Sequence, residues 1–147
     1  MPVGIPFFGA KDMASRYMSF DNVRFITQDK FDQLGNGKLQ DGDLICLLRG
    51  SVGKTRIFKA KEKYTTGFIC AQMIIIRLRD LRLLEYIYSV ISAPYYLQIL
   101  ESKITGTAVR QLPAKEIAQM LIPLPPYQEQ TRINQAISDL VKQTDTL

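Results

Sequence analysis

Residues 50–55, GSVGKT, come closest of any stretch in the sequence to phosphate chemistry. A phosphate-binding loop needs G-x-x-x-x-G-K-[ST] and a helix behind it, so that backbone N–H groups wrap the phosphates. The first glycine of that pattern would fall at position 48, which is leucine, and the residues after Thr55 alternate as in a strand. The spacing therefore disfavours nucleotide binding. It predicts a glycine-rich loop between two strands, where Gly50 and Gly53 let the backbone approach another group closely.

The other reactive side chains give equally little support for catalysis. Asp41 and Asp43 flank a glycine after a turn and before an apolar run, where carboxylates usually serve turn geometry rather than metal binding. Cys46 and Cys70 lie inside apolar runs and are expected to be buried, reduced thiols, with a disulfide between neighbouring strands as the alternative. No histidine occurs in the chain, which removes imidazole acid–base catalysis, Ser-His-Asp triads and imidazole zinc sites.

Positive charge is concentrated in residues 49–63. This stretch holds six basic residues and one acidic residue, a balance equal to the formal net charge of +5 of the whole chain. A concentrated basic surface is what neutralisation of nucleic-acid phosphates requires. The alternative is a solvated hairpin whose lysines block edge-to-edge strand pairing.

The elements that must position these residues are strands first and helices later. Short strands are predicted at residues 23–28, 44–50 and after Thr55, and the β-branched end of residues 64–79 is predicted to be a central buried strand. Residues 1–35 otherwise favour loop. Helical spacing begins near Asp80 and is interrupted or restarted at Pro94, and a short helix is predicted at 113–120. The expected fold class is α+β: a strand-rich domain, a helix pair, and a long C-terminal helix suited to coiled-coil packing.

The last helix, from Pro126, carries an apolar seam with alternating spacings of four and three residues. This is the heptad pattern of a helix that packs along another helix, either in its own domain or in another chain. The expected helix–helix interface consists of Ile133, Ile137, Leu140, Thr144 and Leu147.

Length and hydropathy restrict the remaining possibilities. A chain of 147 residues accommodates one compact domain. The N-terminus lacks the basic start and apolar stretch of a signal peptide, and no apolar run reaches 18 residues, so a cytoplasmic protein with no membrane contact is expected.

Several motifs, taken in order, resemble the DNA-specificity subunit of type I restriction–modification systems. They cover about residues 38–147. The elements are Gly42-Asp43 before an apolar strand, Gly50-Ser51-Val52-Gly53, Tyr95-Tyr96-Leu97 in a helix, Gly106-Thr107, and IPLPPYQEQ at residues 122–130 opening the last helix.

The resemblance implies a non-catalytic protein without cofactors that reads duplex DNA. Its partners would be the modification (methyltransferase) subunits and the restriction subunit, and a homodimer through the C-terminal helix is a further expectation. Residues 1–125 would form a target recognition domain, and residues 126–147 the start of a spacer helix. Compared with the family, the front portion of the domain is expected to be missing. A truncated assembly fragment that docks partners without reading DNA is the alternative.

The same resemblance suggests which side chains meet DNA. Basic residues suit phosphates, whereas base edges need bidentate donors or acceptors, with arginine fitting guanine and glutamine fitting adenine. The expected phosphate contacts are Arg49, Lys54, Arg56, Lys59, Lys61, Lys11 and Lys103. The expected base contacts are Arg16, Ser51, Arg110 and Gln111.

Overall fold

The computed structural model describes residues 4–105 and 111–145, with side chains through residue 140. Within these residues the strands form two three-stranded sheets. In the first sheet, the middle strand pairs antiparallel with one neighbour and parallel with the other. Its strands are β1 (Ile5–Phe8) in the middle, with β2 (Arg24–Ile26) and β5 (Phe68–Ile69) on either side.

The second sheet is antiparallel and contains the glycine-rich hairpin. Its strands are β3 (Leu44–Leu47) in the middle, flanked by β4 (Thr55–Ile57) and β6 (Met73–Ile76). Leu44 lies opposite Ile57 on one side and Ile76 on the other, which fixes the register of all three strands. The predicted loop between two strands is confirmed, because the glycine-rich residues 50–53 lie in the connection from β3 to β4.

Five α-helices occur among the described residues, four of them after the sheets. The break predicted at Pro94 is confirmed: one helix ends before it, and Pro94 occupies the first turn of the next. The helices are α1 (Gln28–Gln33), α2 (Leu84–Ile91), α3 (Pro94–Ser102), α4 (Ala114–Ala118) and α5 (Tyr127–Asp145). Together with the sheets they confirm the α+β class. None of the described helices is apolar over enough of its length to cross a bilayer.

Alternation along β3 divides the core. Ile45 and Leu47 pack in a cluster with Phe8 and Ile69 of the first sheet, so this cluster joins the two sheets. Leu44 packs instead with Ile57 and α2, because successive strand residues point to opposite faces. All four residues of β3 are buried, which explains why its sequence is apolar without alternation.

Two sequence predictions were wrong. The β-branched run after position 72 forms β6 at an edge of its sheet, not the centre, because β3 takes the central place. The residues just before it, β5, pair with β1 in the other sheet, and the chain crosses between the sheets at a turn where the Met73 N–H donates to the Cys70 carbonyl over 3.2 Å. The N-terminal region predicted as loop contains α1, whose first turn is capped by the Thr27 hydroxyl accepting from the Lys30 N–H.

Candidate nucleic-acid interface

The glycine loop between β3 and β4 is closed by its own backbone. Val52 N–H donates to the Gly50 carbonyl, Gly53 N–H to the Leu47 carbonyl and Lys54 N–H to the Ser51 carbonyl, over 2.8, 2.8 and 3.2 Å. These amides are therefore not available to wrap a phosphate, and a strand rather than a helix follows the loop. Both observations agree with the exclusion of a nucleotide-binding loop from its spacing.

Glycine is required in this loop by conformation and by packing. Gly50 and Gly53 have φ of +75° and +86°, a region that side chains rarely adopt. A Cβ on Gly53 would also lie 3.2 Å from Leu100 Cδ1 and 3.3 Å from Leu97 Cδ2. The group that the backbone approaches closely is therefore α3, which holds the hairpin against the helical half of the domain.

A groove of about 570 Å³ runs beside the loop, lined by residues 50–56 and by Ser92, Leu97 and Glu101 of the helix pair. Lys54 lies half-buried in its wall, and within the described residues its ammonium group has no ion pair or hydrogen bond. Ser51 is exposed at the rim. Both residues are therefore placed to meet a ligand that lies along the hairpin.

Arg49 and Gln111 are brought together although they lie 62 positions apart. The Arg49 Nη2 donates to Gln111 Oε1 over 3.1 Å, and the two residues form an antiparallel β-bridge. Gln111 also exchanges two backbone hydrogen bonds with Thr105. Both side chains are exposed next to the glycine loop. The neighbouring candidate Arg110 lies outside the described residues.

Three of the side chains expected to contact DNA already bond to other parts of the protein. Arg56 donates from Nε to the Met13 carbonyl and from Nη1 to the Thr55 carbonyl, at 3.0 and 2.9 Å. Lys11 donates to Asp12 and to the Asn22 carbonyl. Arg16 forms an ion pair with Glu85 and lies 4.9 Å from the ring centre of Tyr88. These contacts leave Lys11 with one free donor, whereas both arginines keep several N–H groups but are oriented by their partners in the fold.

The remaining lysines lie on aromatic rings or beside a carboxylate. Lys59 lies 5.7 Å from the ring centre of Tyr17, and Lys61 lies 4.9 Å from that of Phe20. A ring face attracts the ammonium group without taking all of its hydrogens, so these lysines keep donors for a second partner. Lys103 lies 4.0 Å from Glu116, a long and half-exposed ion pair.

The Gly42-Asp43 motif has a structural role. Asp43 is buried and accepts from Nε and Nη2 of Arg77, at 2.9 and 2.8 Å, and from the Gln40 N–H at 2.8 Å. The bond to Gln40 is local and agrees with the expected turn geometry, whereas Asp41 accepts from the Ala60 N–H, 19 positions away, over 2.8 Å. The described residues contain no group of three or more carboxylates and thiols that would suit a metal ion. Arg77 was missed by sequence reasoning because no local pattern links it to position 43.

The IPLPPYQEQ motif fixes the start of α5. Gln130 is buried and donates from Nε2 to the Pro125 carbonyl over 2.7 Å. Further along, Ile133 packs on the cluster formed by Leu44, Ile57 and α2, so this part of the seam contacts its own domain. The next two seam residues, Ile137 and Leu140, are 39% and 63% exposed. The side chain of Thr144 and all of Leu147 lie outside the described residues.

The cysteines are free thiols. Cys46 is buried as expected, whereas Cys70 is only half-buried. Burial raises the pKa of the Cys46 thiol from its ordinary value of 9.0 to about 11, because the thiolate is poorly solvated there; a contact with the Thr55 side chain opposes this effect. The unfolded thiol loses its proton at a lower pH than the folded one. The contribution of Cys46 to stability is therefore present below pH 9 and lost as the pH rises to about 11.

The two small sheets, the basic hairpin and the long C-terminal helix define an α+β domain of the kind that the resemblance implies. A family model described as the type I restriction modification DNA specificity domain matches residues 2–147. The chain therefore belongs to the family of type I restriction–modification DNA specificity domains.

Solved structures agree with this fold. One similar chain comes from a study of complex assembly and conformational transition of the type I R-M system, with a TM-score of 0.72, 22% identity, and coverage of 99% of this chain and 33% of that one. The HsdS subunit from Thermoanaerobacter tengcongensis matches with a TM-score of 0.70 and 23% identity. The match covers 97% of this chain and 31% of that subunit. The chain thus spans about a third of each structure. No curated protein matches it significantly.

Proposed function

We propose that this chain reads a DNA sequence for a type I restriction–modification system while partner subunits carry out modification and restriction. The observation that carries the proposal is the match of the DNA-specificity family over residues 2–147. On this proposal, residues 1–125 are the recognition domain and residues 126–147 begin a spacer helix. The chain performs no chemistry itself and works in the cytoplasm without a cofactor.

The surface around the glycine loop supports DNA reading. Lys54 keeps its ammonium hydrogens, and Lys59 and Lys61 rest on rings that leave donors exposed. Phosphate contacts of this kind position a protein on DNA but carry no sequence information. Sequence must then be read by side chains with fixed geometry, and Arg49 and Gln111 are held by the backbone beside the same loop.

Selection from random duplexes tests this function. The full chain, purified with and without modification subunits, is incubated with a random duplex library, and bound DNA is amplified and sequenced. We expect a defined sequence to be enriched, because a specific site binds about 10³–10⁷-fold more tightly than non-specific DNA. Docking of modification subunits without any enriched sequence would contradict the proposal and favour the alternative of an assembly fragment.

The exposed part of the α5 seam supports docking of another helix, either from a second copy of this chain or from a modification subunit. Ile137 and Leu140 continue the stripe that Ile133 begins on its own domain. A coiled-coil seam buries such residues against a partner helix. We propose a homodimer through α5 as the form of the isolated chain.

A charge placed in this seam is expected to separate the dimer. Leu140→Asp should raise the dimer dissociation constant at least roughly tenfold, because burying an unpaired carboxylate costs more than about 1.4 kcal/mol. Sedimentation velocity over a concentration series measures this. Ser138→Asp adds the same charge about 200° around the helix from Leu140 and should leave the constant unchanged. Equal behaviour of the two variants would mean that the seam does not hold a second copy.

A further inference from the structure

Arg49 and Gln111 form a hydrogen-bonded pair on an exposed surface, above a backbone that the core holds in place. Leu48 and Leu112, the neighbours of the pair in sequence, are buried in one cluster with Leu100. Their backbones are joined by a hydrogen bond of 2.9 Å from the Leu112 N–H to the Leu48 carbonyl. The β-bridge therefore fixes the two Cα positions, while the side chains point out of the core. A fixed backbone of this kind suits recognition, because the side chains that it carries lose less entropy on binding.

The hydrogen bond between the two side chains fixes the orientation of the amide. A guanidinium group only donates, so Gln111 must turn its Oε1 toward Arg49, and its Nε2 then faces away with two N–H donors. Arg49 uses one of its donors in this contact. In the part of the chain that the structure describes, neither side chain makes another hydrogen bond. The exposed edge of the pair is therefore positively charged and rich in donors.

Resting on the proposed function, we infer that Arg49 and Gln111 act as one base-reading unit that selects guanine. Guanine presents two acceptors, N7 and O6, in the major groove, which match a row of donors. Adenine pairs an acceptor with an amino donor, and the Gln111 oxygen that would receive this donor faces Arg49, which takes one of its two lone pairs, while Nε2 faces away. Gln111 is thus assigned to guanine rather than adenine, and Arg49 to a base rather than a phosphate.

Two conservative variants test the assignment. Gln111→Glu keeps an acceptor for Arg49 but removes both Nε2 donors, and Arg49→Lys keeps the positive charge but loses the planar fork. The full-length variants are compared with the wild type by duplex selection and by binding to the wild-type site with each base pair replaced in turn. Gln98→Glu, an exposed position on α3, makes the same charge change as Gln111→Glu and serves as its control.

For the wild type we expect one guanine position whose replacement weakens binding roughly 5- to 150-fold. At this position the preference should largely disappear in both Gln111→Glu and Arg49→Lys, and other positions should keep theirs. Gln98→Glu should retain the full preference. Circular dichroism melting curves, with unchanged midpoints, would show that the lost preference does not come from unfolding.

Three outcomes would overturn the inference alone: a guanine preference retained in Gln111→Glu, an equal loss of affinity on every duplex in Arg49→Lys, or adenine as the affected base. The second would mean that Arg49 contacts phosphate. Failure of the wild type to enrich any sequence is different, because it would overturn the proposed DNA reading and this inference with it.

Discussion

Arg77→Ala is expected to lower the free energy of unfolding by about 2–3 kcal/mol, somewhat less than the cost of breaking a fully buried ion pair. Its partner Asp43 has a side chain only 2% exposed, whereas Arg77 is 43% exposed. Without Arg77, the buried carboxylate keeps the Gln40 N–H but loses both charged hydrogen bonds. The loss is reduced because water already reaches the arginine. Urea unfolding followed by circular dichroism measures the change.

Arg82→Ala is the matched control. Arg82 also donates to a carboxylate through two nitrogens, but this pair with Asp80 lies on the surface. Surface ion pairs contribute little to stability, so the control should unfold almost like the wild type. Adding Asp43→Asn to Arg77→Ala should recover part of the loss, because the buried charge is then removed. Equal stability of Arg77→Ala and Arg82→Ala would show that the buried carboxylate does not depend on its arginine.

This ion pair also links stability to the proposed interface. Arg77 follows β6, and Asp43 immediately precedes β3, the strand that leads to Arg49 and the glycine loop. The Nη2 of Arg77 donates to the Lys38 carbonyl as well, over 2.9 Å, so one guanidinium holds the turn before β3. The Gly42-Asp43 motif is thus a structural support for the hairpin.

Local patterns in the sequence were sufficient to predict the hairpin and most of the helices. The apolar run of β3, the glycines after it and the alternation of β4 each depend on residues close in sequence. The breaks at Pro94 and before α5 follow from proline, whose ring restricts its own backbone and that of the residue before it. Of the α-helices that the structure describes, the sequence patterns missed α1 alone, a helix of six residues with little periodicity.

Pairings across the sequence could not be predicted in this way. Residues 68–76 are apolar except for Gln72, and their pattern does not show that β5 belongs to one sheet and β6 to the other. The same applies to the candidate site. Arg49 was assigned to phosphate and Gln111 to adenine as separate residues, because their contact depends on a bridge between segments 62 positions apart. The sequence also does not show which basic side chains bond to the protein's own backbone, as Arg56 and Lys11 do, because their partners are distant in sequence.

Raising the salt concentration from about 50 to 200 mM is expected to weaken binding of the full chain to its selected duplex about 150-fold. This follows if about four phosphates are neutralised, which gives a slope of roughly −3.6 in a plot of log affinity against log salt. The cations proposed for these contacts have ammonium groups without a short ion pair in the described residues: Lys54, Lys59, Lys61 and Lys103. Fluorescence anisotropy with a labelled duplex measures the slope.

Lys54→Ala tests the central cation of this surface. Removing one phosphate contact should make the slope less negative by about 0.9 and weaken selected and scrambled duplexes equally, because the lost contact carries no sequence information. Lys30→Ala removes the same charge from α1, which follows β2 of the first sheet, and should leave the slope unchanged. An unaltered slope in Lys54→Ala would remove Lys54 from the DNA surface. A slope near zero in the wild type would favour the alternative that the lysines of the hairpin only block edge-to-edge strand pairing.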